Sequence, residues 1–432
     1  MRFLPIICLV RIDITPVNKH LASFLLQDRV SKTSSDSMKM QSFQDTETAI
    51  QMTVVSQTVL QPTNAPQFRV SWLDTDELRS REKAWEFLAL NSLSQNPAFE
   101  SNYLLPALKH LANESVRVLV VEDVRAEKHH SLVGLVPIED KCIYRLPFKA
   151  AEIWKHEQCF DTTPLLLKKH ASEVWRLICE ELVEVGFKLL SLDTVSAETN
   201  VDAVFTDLER GQGIVRFQRD HYQRAAFVPT ESFDDYVQKH VSKSIRKNTK
   251  RLLRRLEDRG TVTWETSGDS SDFEQLAEDF MSIEASGWKG TEGTALASAE
   301  STKAFYKSLI CESARVGKAR FLSLKLDGRP LAMLSDIQTG QVVYSCKTAY
   351  DEKFAQFSPG QQVEVKNLDF LHRDGIQSGD SCTSTENATI NRIWGQKLSF
   401  QNLIFSLTPG LARTAVKALP MIQTAVHRLR NK

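Results

Sequence analysis

The strongest constraint in this sequence is that one order of elements occurs twice. Val116-Arg-Val-Leu-Val-Val-Glu122 is β-branched and mostly apolar, and Leu132-Val-Gly-Leu-Val-Pro-Ile138 answers it across a charged turn, the pattern of a strand hairpin. Thr163-Pro164 then leads into an amphipathic helix from Ala171 to Val185, closed by Gly186, and Leu189-Leu-Ser-Leu-Asp193 follows as a strand. In the second half Ala319–Leu326 and Leu331–Ile337 flank an Asp327-Gly328 hairpin turn, and Gln341–Lys347 is the next strand. Ser358-Pro-Gly360 opens a helix that Gly375 closes ahead of Gly379-Asp-Ser-Cys382. The matching pieces are Val116–Ile138 with Ala319–Ile337, Thr163-Pro164 with Ser358-Pro359, and Ser191-Leu-Asp193 with Ser378-Gly-Asp380. A diverged repeat of this kind predicts an α/β (α+β) chain of two tandem units, residues 68–225 and 226–405, with mixed sheets flanked by helices and a shared cleft.

Composition agrees with two buried cores. At roughly 150 residues per domain, 432 residues suffice for two, and 42% apolar with 25% charged residues is the balance of a globular chain rather than a disordered or fibrous one. Lys plus Arg and Asp plus Glu both number 54, so any attraction to nucleic acid or to a membrane has to come from a local patch. The seven cysteines are odd in number and never closer than 17 residues, which argues against a disulfide framework and zinc-type pairs; a reducing, cytoplasmic setting without a metal is expected. Residues 1–67 read as a mobile tail, rich in Ser, Thr and Gln from 31 to 66, with the apolar run Phe3–Val10 too short to span a bilayer. That segment is either a disordered leader or sequence upstream of a start at Met38, Met40 or Met52. Residues 406–432 form an amphipathic C-terminal tail with Arg413, Lys417, Arg428 and Arg430, which either touches an anionic membrane surface or packs on the fold.

From Lys239 to Leu256 there are eight Lys or Arg residues and no acid. At 100° per residue Lys243, Arg246, Lys247, Lys250, Arg251, Arg254 and Arg255 share one arc, with Val241, Ile245, Leu252, Leu253 and Leu256 opposite. This is an amphipathic helix with its cationic face outward. Three uses remain open: a solvated face balanced elsewhere in the fold, a steering surface for a phosphate-bearing donor or acceptor, and a nucleic-acid contact.

The basic helix, Ser286-Gly-Trp-Lys-Gly290, the Asp-Gly hairpin, Ala349-Tyr-Asp-Glu352 and Ser358-Pro-Gly360 follow one another in an order that resembles the GNAT-type acyltransferases that include the CelD-like cellulose-biosynthesis proteins and are related to FemAB-like aminoacyltransferases. The resemblance runs from about Phe68 to Phe405 and is strongest from Phe227 to Trp394. It implies two tandem GNAT-like folds, with an acyl-CoA donor such as acetyl-CoA bound in the second. The family places several glycines at the phosphate turn, where this chain has Gly360 followed by Gln361 and Gln362. It also often has a Tyr-Lys pair after the last core strand, and Asn387 to Trp394 contains neither residue.

Direct acyl transfer needs a held donor carbonyl, a polariser for the oxyanion and a route for the acceptor's proton. Under the resemblance Ser358, Gly360, Gln361 and Gln362 bind the donor's phosphates at a helix N-terminus; without it they are an ordinary helix start with proline in the first turn. Glu284 is a candidate base, with Trp288, Lys289, Tyr350, Arg246 and Lys250 lining the substrate entrance; the plainer reading of Glu284 to Gly290 is a surface loop with a packed Trp. Asp336 sits among apolar neighbours and faces either a cleft or the open side of an alternating strand. Asp380 ends the next core strand, where ligand sites favour an acid. Cys382 reads as a buried structural thiol rather than a nucleophile.

The expected activity is N- or O-acyl transfer to an amine or hydroxyl of a small or glycan-linked acceptor. Two alternatives stand beside it: an aminoacyl-tRNA-dependent transferase, the one case in which nucleic acid is a partner, and a catalytically degenerate binding protein.

Overall fold

The computed structural model describes residues 67–430 apart from 145, 269–270 and 384. The expected N-terminal tail and the alternative starts lie outside the described residues. Thirteen strands form one mixed sheet flanked by helices: β1 (Phe68–Leu73), β2 (Arg117–Asp123), β3 (Leu132–Lys141), β4 (Ala150–Ile153), β5 (Leu165–Leu166), β6 (Leu189–Ser196), β7 (Val215–Phe227), β8 (Val262–Thr266), β9 (Ala319–Leu326), β10 (Arg329–Thr339), β11 (Val342–Tyr350), β12 (Ser378–Asp380) and β13 (Gln396–Ser406). Their order across the sheet is β1-β2-β3-β4-β6-β13-β7-β12-β11-β10-β9-β8, with β5 paired to β3 off that path.

Each hairpin follows from its sequence. Val118 to Val121 are buried throughout β2, as expected for a strand covered on both faces. Asp327 and Gly328 both adopt positive φ, 49° and 79°, giving the two-residue turn whose twist matches the flanking strands β9 and β10.

Outward from the central β13–β7 pair the two wings read alike. Each begins with an antiparallel neighbour (β6 or β12), continues with a parallel one (β4 or β11), and ends in three antiparallel steps. The innermost strands are exchanged: β7, from the end of the first half, completes the wing of the second, and the C-terminal β13 completes the wing of the first. Residues 225 and 226, where the halves were expected to divide, lie within β7.

The recurrence is present with a different register. Parallel pairing sets Glu152 beside Ser191 in one wing and Tyr344 beside Asp380 in the other, so the counterpart of Asp380 is Ser191, two residues before Asp193. Thr163-Pro164 likewise precedes the short β5, and the helix matching Pro359–Arg373 starts at Ala171.

The wings share a core. One apolar cluster includes Trp85, Trp175 and Leu190 of the first half and Phe280, Phe305, Phe321 and Tyr344 of the second. Asn102 donates to Ser313 across it (2.9 Å). The C-terminal helix Leu411–Arg430 buries Ala412, Val416 and Leu419 against Ile143, Leu189 and Ile404, and leaves Leu411 and Met421 exposed. No described helix is long and apolar enough to cross a membrane.

At the seam Arg224 of β7 is buried against Asp380 of β12, its Nε donating at 2.7 Å to Oδ1 and one Nη to Oδ2. The guanidinium also donates to the Phe160 carbonyl (2.8 Å) and lies 4.0 Å from the Phe400 ring centroid of β13. A buried pair broken on one side leaves an uncompensated charge, which costs about 3–5 kcal/mol. Arg224→Met should therefore lower the unfolding free energy in urea by that order, and Arg224→Met/Asp380→Asn should recover much of it.

Candidate functional site

Strands β11 and β12 run parallel over only three pairs, Val342 with Ser378, Val343 with Gly379 and Tyr344 with Asp380, and then part. From Ser345 to Tyr350 β11 has a strand neighbour only on its β10 side. At that point β11 carries one extra residue: Ser335 faces Lys347 and Asp336 faces Ser345, leaving Cys346 without a partner. Such a bulge frees backbone polar groups from the ladder, and here it does so beside an opening.

The opening is a groove of two adjoining cavities of about 480 and 300 Å³ that share Lys289, Thr348, Glu364, Asn387 and Ile390. Its outer end is lined by Trp288, Tyr350, Ser358, Gly360 and Gln361. Its inner end is lined by Cys346, Lys347 and Cys382, together with Glu157, Gln158 and Phe160 from the first half.

The helix Pro359–Arg373 points its N-terminus at the outer end. Ser358 holds the left-handed conformation (φ 50°) between the preceding 3-10 turn and Pro359, which suits the first helical position. A Cβ on Gly360 would stand 3.0 Å from the Tyr350 ring, so the glycine lets that ring lie against the helix start. Gln361 donates to Thr249 (2.9 Å), joining this turn to the basic helix Lys243–Glu257. Gln362 points elsewhere: it is buried and donates to the Phe357 carbonyl (2.8 Å).

Glu284 ends the helix Phe273–Ala285 and lies buried beneath the groove. It accepts from Lys289 Nζ (2.9 Å) and the Leu296 N–H (2.8 Å), with Lys347 Nζ at 3.6 Å. Burial alone would raise its pKa, but Lys347 and Lys289 outweigh burial and hold it below the usual carboxylate range. Burial lowers the Lys347 pKa, and Glu284 offsets part of that. Trp288 leaves half its surface in solvent at the rim, and its backbone N–H donates to Glu352 (2.8 Å).

A carboxyl that sequence reading missed faces both cavities. Glu364 is buried one helical turn after Gly360, accepting from the Thr348 hydroxyl and from Trp394 Nε1 (3.0 Å). Burial pushes its pKa up to about 7, against the lowering effect of those two donors. The available signal was its i, i+4 spacing from Gly360, which sets both residues on one helix face.

The structure therefore gathers Ser358, Gly360, Gln361, Trp288, Lys289 and Tyr350 in one cavity with Glu284 directly below. Asp380 lies at the seam with Arg224 and lines a different cavity beside Asp161 and Tyr344. Asp161 accepts from the Tyr344 hydroxyl (3.1 Å), and burial raises its pKa to about 6. Asp336 lines a third cavity with Asn367 and Arg320. Arg246 and Lys250 stay on the basic helix, whose Ile245, Leu252 and Leu256 are buried. Among the described residues none of its seven cations Lys243, Arg246, Lys247, Lys250, Arg251, Arg254 and Arg255 forms an ion pair with a carboxylate.

Comparison with known proteins bears on this geometry. Residues 243–387 match the acetyltransferase (GNAT) domain family. No curated protein matches the chain. Among solved structures, FemX is similar at 11% identity and a TM-score of 0.50, covering 79% of this chain and 97% of its own. The C-terminal domain of a putative lysylphosphatidylglycerol synthetase from Agrobacterium fabrum is similar at 11% identity and a TM-score of 0.50, with 81% and 96% covered. A tandem GNAT protein from the clavulanic acid biosynthesis pathway gives 10% identity and a TM-score of 0.41, with 80% and 100% covered. At such identities the likeness is one of fold. Residues 243–387 thus match a GNAT-type acetyltransferase domain, and FemX shares the mixed α/β fold of the chain.

Proposed function

We propose that this protein transfers an acyl group from an acyl-CoA thioester such as acetyl-CoA to an amine or hydroxyl of a small or glycan-linked acceptor, as a CelD-like relative of the FemAB enzymes. The observation that carries this reading is the groove between β11 and β12, which joins a helix N-terminus, a strand bulge and a carboxyl with a pKa of about 7. In this reading the first half, residues 68–225, binds no donor. Free thiols at all six described cysteines suit a reducing cytoplasm.

The backbone N–H groups at Gly360 and Gln361 suit the donor's phosphates. The bulge at Cys346 offers a backbone donor to the thioester carbonyl, where charge develops as the acceptor attacks. Glu364 takes the acceptor's proton as the new C–N or C–O bond forms, and the C–S bond breaks to release a thiolate, which takes that proton from Glu364 and leaves as the thiol. Glu284 acts by holding Lys289 and Lys347 in place, since its own carboxylate is occupied by them. Acetyl-CoA is expected to raise the melting temperature of residues 68–432, and Gly360→Trp, which fills the turn against Tyr350, should abolish the rise. No shift in the unaltered protein would overturn the donor assignment.

A base must be deprotonated to work, so kcat/KM should climb as pH rises through about 7 and level off above it. Glu364→Gln should remove that limb and lower the rate roughly 10²–10⁴-fold, the usual contribution of a general base.

A specific observation supports the aminoacyl-tRNA-dependent alternative: the basic helix, whose Thr249 accepts from Gln361 at the outer end of the groove, carries seven cations that form no ion pair with a carboxylate among the described residues. A surface built to meet phosphates behaves in this way, and a face balanced within the fold does not. Replacing Lys247, Lys250, Arg251 and Arg254 by Gln should flatten the salt dependence of tRNA binding if tRNA is the donor. If tRNA binding is absent or salt-independent, this alternative falls and the surface serves a smaller phosphate-bearing partner.

A further inference from the structure

The described cavities include one that the transfer reaction leaves unused. It lies where the last turn of the helix Pro359–Arg373 meets the ends of β8, β9 and β10, and its volume is about 370 Å³. None of its lining residues lines the groove.

Asp336 forms its floor and is 1% exposed. Its Oδ2 accepts from Asn367 Nδ2 at 3.0 Å, while Oδ1 has no hydrogen-bond partner. The Ser345 hydroxyl of β11 approaches without closing that bond. An ionised carboxylate buried in this way is costly unless a positive or strongly donating group reaches it. Arg320 lies close enough to favour the charged form of Asp336, but both guanidiniums that line the cavity make their short contacts with other groups. Arg320 pairs with Asp374 (2.7 Å) and donates to Gln338 (3.2 Å), and Arg373 pairs with Asp369 (2.7 Å).

Two further features of the walls favour a cation. The helix ends at the cavity, and the negative end of a helix dipole stabilises positive charge within its last turn. Phe321 and Phe370 supply aromatic surface for the apolar body of an organic cation.

We propose that this cavity is a second ligand site, separate from the acyl-transfer groove, which binds a small primary ammonium ion with its charged head on Asp336 and its carbon skeleton against Phe321 and Phe370. The missing partner of Oδ1 is then an N–H of the ligand, and Asn367 holds the carboxylate plane in place.

The test is thermal melting of the full chain at pH 7.5 with ethanolamine hydrochloride and butylamine hydrochloride, against NaCl and sodium acetate at matched ionic strength. A saturable rise of about 2–4 °C with an amine, absent with both sodium salts, is expected for a bound ligand in a domain of this size. Asp336→Asn should abolish the rise while keeping acetyl-CoA binding unchanged. Thr266→Trp, which fills the exposed rim without touching Asp336, should abolish it as well, and it carries the test if Asp336→Asn does not fold. The proposal is overturned by no saturable shift with either amine, by an equal shift with sodium acetate, or by an amine shift that survives in the folded variants.

Discussion

The architecture depends on the pairing of β13 with β7. Eleven residues of β13 run antiparallel to β7 from Gln396 beside Ala226 to Ser406 beside Val215, and each strand completes the wing opposite to the half from which it comes. Neither wing can be removed without stripping a strand from the other. Arg224 sits on this seam and binds Asp380, so the strand that joins the wings also fixes the end of β12, where the groove begins. The geometry of the site is thus set by contacts that cross the molecule.

The groove itself comes from a local failure of pairing. β12 has three residues and β11 has nine, so most of β11 loses its neighbour on that side. A continued ladder would have satisfied those backbone groups; parting the strands leaves them to a ligand, and the bulge at Cys346 adds a further break. The surrounding charges are then set by burial. Glu284 keeps its charge because two lysines share it, whereas Glu364, held by neutral donors, rises toward neutrality. Two glutamates a few residues from the same cavity are thereby suited to different work.

Much of the fold was legible because its signals are local. The β-branched runs of β2 and β3, the apolar runs of β9 and β10, the Asp327-Gly328 turn and the cationic stripe of Lys243–Glu257 depend on neighbours within a few positions. The register of the recurrence was not, since similarity between Ser-Leu-Asp and Ser-Gly-Asp is a matter of letters, whereas partner strands decide which residues are equivalent. For the site, the turn at Ser358 to Gln361 and the Trp288-Lys289 pair announced themselves through Gly, Pro and aromatic residues. Asp336 stood out as a charge in an apolar strand and Asp380 as an acid at a strand end, but which cavity each one faces follows from long-range packing. Glu364 gave little warning, because a glutamate on a helix usually faces water, and its burial depends on Trp394, thirty residues away.

The placement of β13 bears on how the chain is made. A domain emerging from the ribosome can begin to fold as soon as its pieces are out, yet β6 ends at Ser196 and its partner starts at Gln396. At ~5–20 residues per second, that gap of about two hundred residues leaves the inner edge of β6 without its strand for roughly ten to forty seconds. An open strand edge is a template for pairing with other chains. The nascent protein therefore carries an open inner edge through the second half of its synthesis, and that exposure to misassembly lasts until β13 arrives.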